Sequence, residues 1–220
     1  MKTVAIKERP ILFSGPMIRA ILDGKKTQTR RVVKSKAKNM QAGGQVCVKR
    51  NPDGDHWYKE YVWSVRDAGG VWNDYTEAQM LARCPYGKPG DRLWARETWQ
   101  HEDGSCSDHK CGQPTHIYHK ATESFPESMR WKPSIFMPRW ACRLELEITG
   151  VRVERVKDIS HEDAVAEGCY RIEPCEAYPH GNSWGRSGYA ALWESINGPG
   201  VYGWTANPYV WVVEFERLSL

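Results

Sequence analysis

The stretch Lys25-Lys26-Thr27-Gln28-Thr29-Arg30-Arg31 sets two amines, two hydroxyls and two guanidinium groups within seven residues. Three uses fit such a set: a solvated loop, a phosphate site, or an active site that needs an amine beside a hydroxyl. The third has definite requirements. A threonine hydroxyl is a weak nucleophile until a neighbour takes its proton. A lysine takes it only where desolvation or nearby cations lower its pKa, and Lys25, Arg30 and Arg31 are placed to supply that positive field. A nucleotide-binding P-loop is excluded. It needs a glycine five positions before the Gly-Lys pair, and Arg19 stands there.

Two other constellations carry chemistry. Cys106, His109, Cys111, His116 and His119 lie within fourteen residues, and zinc takes four nitrogen or sulfur ligands in a tetrahedron. The spacing is tighter than in common zinc fingers, so a polar loop with incidental thiols is preferred and no cofactor is expected, with zinc the alternative. The segment Trp131 to Trp140, "WKPSIFMPRW", is kept extended by its prolines. Trp131, Phe136 and Trp140 can form a stacking wall beside a cleft, with Arg139 reaching a phosphate. A lid packed over the core is the competing reading.

These residues need elements to hold them. Ser14 and Pro16 open a short helix whose Ile18, Ile21 and Leu22 share one face, and Gly24 ends it. "TQTRRVV" then alternates as a strand, with Thr29 and Arg31 on one side and Gln28, Arg30 and Val32 on the other. "HWYKEYVWSV" reads as one strand of a hairpin, "YTEAQMLARC" as a short helix, and "YGKPGDRLWARETW" as a turn into a strand. "ACRLELEITGVRVERV" is the clearest strand, with Cys142, Leu144, Leu146 and Ile148 inward and a bend or bulge at Gly150. "DISHEDAVAEG" is a helix capped at Ser160 and stopped by Gly168. "YAALWESING" is another, with Leu192, Trp193 and Ile196 inward, and "NPYVWVVEFERL" is a final apolar strand. The order predicts an α+β domain around a mostly antiparallel, barrel-like sheet.

Composition narrows the partners. The chain has 220 residues and a net charge of +4, with seven basic and no acidic residues from Lys25 to Lys38. Such a block repels itself unless an anion or solvent screens it. The 11 Trp and 10 Tyr against 4 Phe favour side chains that combine a flat face with a polar edge, suited to bases as well as to cores. There is no apolar run near membrane-spanning length and no secretory leader. The seven cysteines are odd in number and lack a secretory context, so reduced thiols in a cytoplasmic protein are expected.

The order of the motifs resembles the ASCH family, a branch of the PUA-like fold. "ILDGKKTQTRR" looks like that family's opening signature, "GKPGDRLWARE" like its Gly-Asp strand, and "DISHEDAVAEG" like the helix that follows. The resemblance leaves out two loop-rich insertions, at about 34–86 and 100–139, within one domain spanning 1–220. The chain looks most like the longer members carried by phages and prophages. The resemblance implies a small β-barrel with flanking helices and a cleft for RNA or a modified nucleoside. One small bacterial branch hydrolyses the acetyl amide of N4-acetylcytidine. By its motif, Lys26 is implied as proton acceptor, Thr29 as nucleophile and Glu167 as proton donor. That branch has a different residue in place of Gly168. Glu167 falls in a last helical turn, where the dipole disfavours negative charge, which favours a protonated donor. The expectation is an RNA- or nucleoside-binding protein, with hydrolysis of an N4-acylcytidine as its candidate activity. A binding module that cuts nothing and a ribonuclease are the alternatives.

Overall fold

A computed structural model describes residues 5–33, 40–42, 46–51, 54–58, 63–66, 69, 71–102, 116–124, 130–169 and 185–218. In chain order the elements are β1 (Glu8–Leu12), α1 (Gly15–Leu22), β2 (Gln28–Val32), β3 (Met40–Ala42), β4 (Val46–Asn51), β5 (Gly54–Tyr58), β6 (Trp63–Arg66), β7 (Trp72–Tyr75), α2 (Glu77–Leu81), β8 (Arg92–Arg96), β9 (Trp99–Glu102), β10 (His116–His119), β11 (Glu145–Arg155), α3 (His161–Ala166), α4 (Arg186–Asn197) and β12 (Tyr209–Arg217).

The fold is mixed α+β, built on a five-stranded sheet in the order β1-β8-β11-β12-β2. β1 and β8 run parallel and the other pairs antiparallel. The expected closed barrel is not formed among the described residues. β1 and β2 stay as separate edges, joined by a side chain: Arg31 donates to the Leu12 carbonyl at 2.6 Å.

β12 shows why this sheet needs helices on both faces. Tyr209, Trp211, Val213 and Phe215 enter one core with Ile11, Phe13, Ile18 and Leu93. Val210 and Val212 enter a second core with Ala164, Tyr189 and Trp193. A strand covered on both faces has no solvent side to mark with polar residues, hence the unbroken "YVWVVEF". α1 covers the first face through Ile18 and Ile21, and α3 and α4 cover the second.

β11 solves a harder problem. Leu146 and Ile148 face the first core, and so do Val151 and Val153. The side-chain alternation therefore changes phase. The register with β12 shifts between Ile148 and Gly150, where a bulge inserts one unopposed residue. Beyond it, Arg152 and Glu154 face the α3 side.

Several expectations need correction. Ser14 sits at the α1 N-cap position without a side-chain capping bond; its carbonyl accepts from Ile18 N instead. Cys142 precedes β11 in a turn and donates to the Leu144 carbonyl, rather than facing the core within the strand. Ile196 is exposed, and Tyr189 takes the inward position on α4. "HWYKEYVWSV" contributes to two strands, β5 and β6. Among the described residues, no helix is long and apolar enough to cross a membrane.

Candidate active site at the free edge of β2

β2 is an edge strand, and both of its faces are buried. Its neighbours in β12 fix which way each side chain points. Thr29 lies opposite Val213 and Arg31 opposite Trp211, both first-core residues. Arg30 lies opposite Val212, a second-core residue. Thr29 and Arg31 thus turn toward α1, and Gln28 and Arg30 toward α3. The two sets meet at the free edge, in a pocket lined by Thr29, Arg30, Arg31, Glu167, Tyr189 and, from α1, Met17. Leu192, Trp193 and Ile196 of α4 supply its apolar wall. The pocket has a volume of about 60 Å³, space for several waters or the edge of one planar ring.

Lys26 is buried and does not itself line this pocket; it meets the wall through Glu167. The chain reaches Lys26 by a tight reversal in which the Lys25 and Lys26 amides both donate to the Ala20 carbonyl. Its ammonium donates to the Glu167 carboxylate at 2.6 Å and to the Glu167 carbonyl at 2.9 Å. Burial lowers the Lys26 pKa against the opposing pull of Glu167, and the Arg31 charge adds to the lowering. Glu167 also accepts from Arg30 at 3.2 Å. Glu167 thus faces two cations, Lys26 and Arg30. It caps the end of α3, and Gly168 follows at a φ of +91°.

Arg30 extends the network away from the pocket. Its guanidinium donates to Glu154 at 2.6 Å and to Asp163 at 2.7 Å. Burial opposes its charge, but Glu167 and Glu154 outweigh burial and hold its pKa above the ordinary value. Asp163 also accepts from Gln28 at 3.0 Å and from Arg152 at 2.7 Å. Burial pushes the Asp163 carboxyl up, yet the Gln28 bond and the Arg30 and Arg152 charges outweigh it and hold it below the usual range. Tyr189 packs under the Arg30 guanidinium at 5.8 Å. Burial first, and Glu167 second, push its phenol well above the ordinary value, so it stays protonated.

The pocket wall contains one unmet demand. Arg31 donates to the Leu12 carbonyl and lies over the Phe13 ring at 5.4 Å. Its Nε–H is buried without an acceptor among the described residues. A buried N–H left unsatisfied costs about 1–3 kcal/mol, so an acceptor arriving with a ligand is favoured there.

Thr29, Arg30, Arg31 and Glu167 thus share one pocket, and Lys26 reaches it through Glu167. Four other candidates lie elsewhere. Lys25 pairs with Asp23 at the surface, at 3.3 Å. Arg139 donates to Glu8 and Glu145, so its charge is already matched. Trp140 packs edge-on against Trp99. Neither it nor Trp131 lines the pocket. The zinc alternative lies partly beyond view: Cys106, His109 and Cys111 are outside the described residues, as are Lys34, Lys36 and Lys38 of the basic block. His116 and His119 both turn to the Glu123 carboxylate, at 3.4 and 3.6 Å. Among the described residues, no group of three or more His, Cys, Asp or Glu could hold a metal ion.

Gly168 fixes the geometry of the acid. A Cβ there would lie 3.2 Å from the Ala20 Cβ and 3.6 Å from the Lys26 Cβ, in a backbone conformation that side chains rarely adopt. Gly24 has a similar φ of +70° with nothing within 4 Å. Both Ala substitutions incur strain of about 1–3 kcal/mol, but only Gly168→Ala also crowds Ala20. Urea unfolding should show the larger loss for Gly168→Ala. Equal losses would mean that the contact with Ala20 is not felt.

No protein-family model, curated protein or solved structure matches this chain.

Proposed function

We propose that the pocket at the β2 edge binds a modified pyrimidine nucleoside, free or within RNA, and hydrolyses an N4-acyl amide of cytidine. The observation that carries this reading is the Lys26–Glu167 pair, fully desolvated beside a pocket that also holds a threonine hydroxyl. Taking two charges out of water is costly, and such perturbed pairs cluster at functional sites. The unpaired Arg31 Nε–H suits a carbonyl or phosphate oxygen. The motif order resembling the ASCH family, and through it a PUA-like relationship, points the same way.

The chemistry follows from the pair. Moving the shared proton from Lys26 to Glu167 turns an ion pair into an amine and a carboxylic acid, the base and acid the reaction needs. The Thr29 hydroxyl oxygen attacks the acyl carbon, and its proton passes to Lys26. The carbon–nitrogen bond breaks and the leaving N4 takes the proton from Glu167. The ion pair is thereby restored and the acyl group rests on Thr29 as an ester. Water then attacks that ester. Glu167 takes its proton, Lys26 returns one to Thr29, and the carboxylic acid leaves. Arg31 is placed to stabilise the developing oxyanion.

A second reading, grip without cleavage, is favoured by one observation. The Lys26 ammonium is turned to Glu167, and Arg30 also donates to the Glu167 carboxylate, so the groups are engaged with one another rather than turned to a ligand. Incubating the protein with N4-acetylcytidine separates the two. Release of cytidine and acetate, followed by chromatography, is expected. Saturable binding by calorimetry without release would favour grip alone. Neither binding nor release, for the nucleoside or for acetylated RNA, would remove both readings.

A further inference from the structure

Resting on the nucleoside reading of the pocket, we infer that its ligand is carried on a single RNA strand whose neighbouring bases stack on Phe136 and Trp140. A series of hydrogen bonds ties the pocket wall to the segment that carries these rings. Arg31, in the pocket wall, donates to the Leu12 carbonyl. The next residue, Phe13, donates its amide to the Arg96 carbonyl at 3.1 Å. The Arg96 guanidinium then donates to the Met137 carbonyl at 2.9 Å and to the Ile135 carbonyl.

Along that line the surface is apolar where it should be polar. Leu12, Ile135, Phe136 and Trp140 are 42, 57, 69 and 55% exposed. Exposed apolar side chains standing singly need no explanation, but three within the six residues 135–140 mark a candidate contact surface. Trp140 is also held rigid. Its ring stands edge-on to Trp99 and to His101, at 5.5 and 6.1 Å. A flat ring fixed in place loses little entropy when a base stacks on it.

Charge decides what kind of partner fits. In the buried network each cation faces a carboxylate. Along the line to the rings, Arg139 is matched by Glu8 and Glu145, but three other cations find no carboxylate among the described residues. Arg31 and Arg96 make their hydrogen bonds to carbonyls, and Lys132 makes its own to the His101 ring at 2.6 Å while lying 5.0 Å over Trp99. Three cations without an acidic partner among the described residues, interleaved with exposed aromatics, suit a phosphate backbone with stacked bases. They suit a second apolar protein face poorly, because burying them there would strand their charges.

Phe136→Ala is the cleanest test, since that ring is the most exposed of the four and its loss should leave the fold intact by circular dichroism. Fluorescence anisotropy would follow a short oligoribonucleotide with one central N4-acetylcytidine, and calorimetry the free nucleoside. Phe136→Ala and Trp140→Ala should each weaken the oligonucleotide about 5- to 150-fold and leave the free nucleoside unchanged. Wild-type affinity for the oligonucleotide in both variants would overturn the inference. So would a wild type that binds the oligonucleotide no better than the nucleoside. If sedimentation shows a dimer that Phe136→Ala dissociates, a second copy covers the patch and the inference falls. Failure of the pocket reading looks different: the free nucleoside itself would not bind.

Discussion

Thr29→Ala and Lys26→Ala should each lose turnover of N4-acetylcytidine by about 10²- to 10⁴-fold, and the double variant should lose little more. The reason lies in the route of the proton. Without the Thr29 hydroxyl there is no nucleophile, and the Lys26–Glu167 pair has nothing to deprotonate. Without Lys26 the hydroxyl remains but its proton has no acceptor, so the nucleophile stays weak. Two residues serving one step are not additive. Binding separates a chemical role from a structural one. Thr29→Ala keeps Arg30, Arg31, Glu167 and Tyr189 in the pocket wall, so the Kd should stay within a few fold. Thr29→Ser, which retains the hydroxyl, should recover most of the rate. Full turnover in Thr29→Ala or in Lys26→Ala would end this mechanism.

The second large effect is on stability. Glu167→Ala should destabilise the fold by about 3–5 kcal/mol, because removing one partner strands a buried charge. Here the Lys26 ammonium would lose its only carboxylate within hydrogen-bonding distance among the described residues, while Arg30 would keep Glu154 and Asp163. Against a total stability of about 5–15 kcal/mol, that is a large share, and urea unfolding would read it directly. Replacing the pair together, as Lys26→Met with Glu167→Gln, should recover most of the loss. The amide can still accept from Arg30, and no lone ammonium remains. A Glu167→Ala loss below about 1 kcal/mol would mean that water reaches Lys26 and that the pair is not desolvated. The double variant should also be inactive, which separates folding from chemistry.

How far the sequence reaches into this site depends on the range of each signal. The α1 face, the αL turn at Gly24 and the alternation of β2 are local, and each is legible within a few residues. The cap at Ser160 and the stop at Gly168 are local too, and they bracket α3 as expected. That Lys26 reaches Glu167 is not local: 141 residues separate them. No periodicity encodes that contact, and it was expected only through the family resemblance. The rest of the charge network was missed. The sequence assigns no face to Arg152 and Glu154 beyond the bend at Gly150, and it is α3, lying over that face, that makes them partners of Arg30 and Asp163. The signal was present in the unbroken apolar run of β12, which already required both faces of the sheet to be covered. Tyr189 was overlooked in favour of Ile196 because the inward stripe of α4 was set one turn too late. The aromatic segment 131–140 reads as extended, yet it winds into short 3₁₀ turns at Ser134–Phe136 and Arg139–Ala141, and only its carbonyl contacts with Arg96 show where it is tied to β8.

The bulge in β11 works as a frame marker for the whole site. Upstream of it, even-numbered side chains point to the first core; downstream, odd-numbered ones do. Two residues, Thr149 and Gly150, lie between the inward-facing Ile148 and Val151, where plain alternation would place one. The bulge absorbs the extra residue, and with it Val151 and Val153 reach the first core while Arg152 and Glu154 face Asp163 and Arg30. Were Thr149 drawn into the regular ladder, Arg152 and Glu154 would be driven toward the first core, and Val151 and Val153 toward Asp163. Deleting Thr149 removes the need for the bulge and leaves that phase unchanged, so the charge network should tolerate the shorter strand. In such a chain, a kink in one strand keeps a polar seam and an apolar one apart.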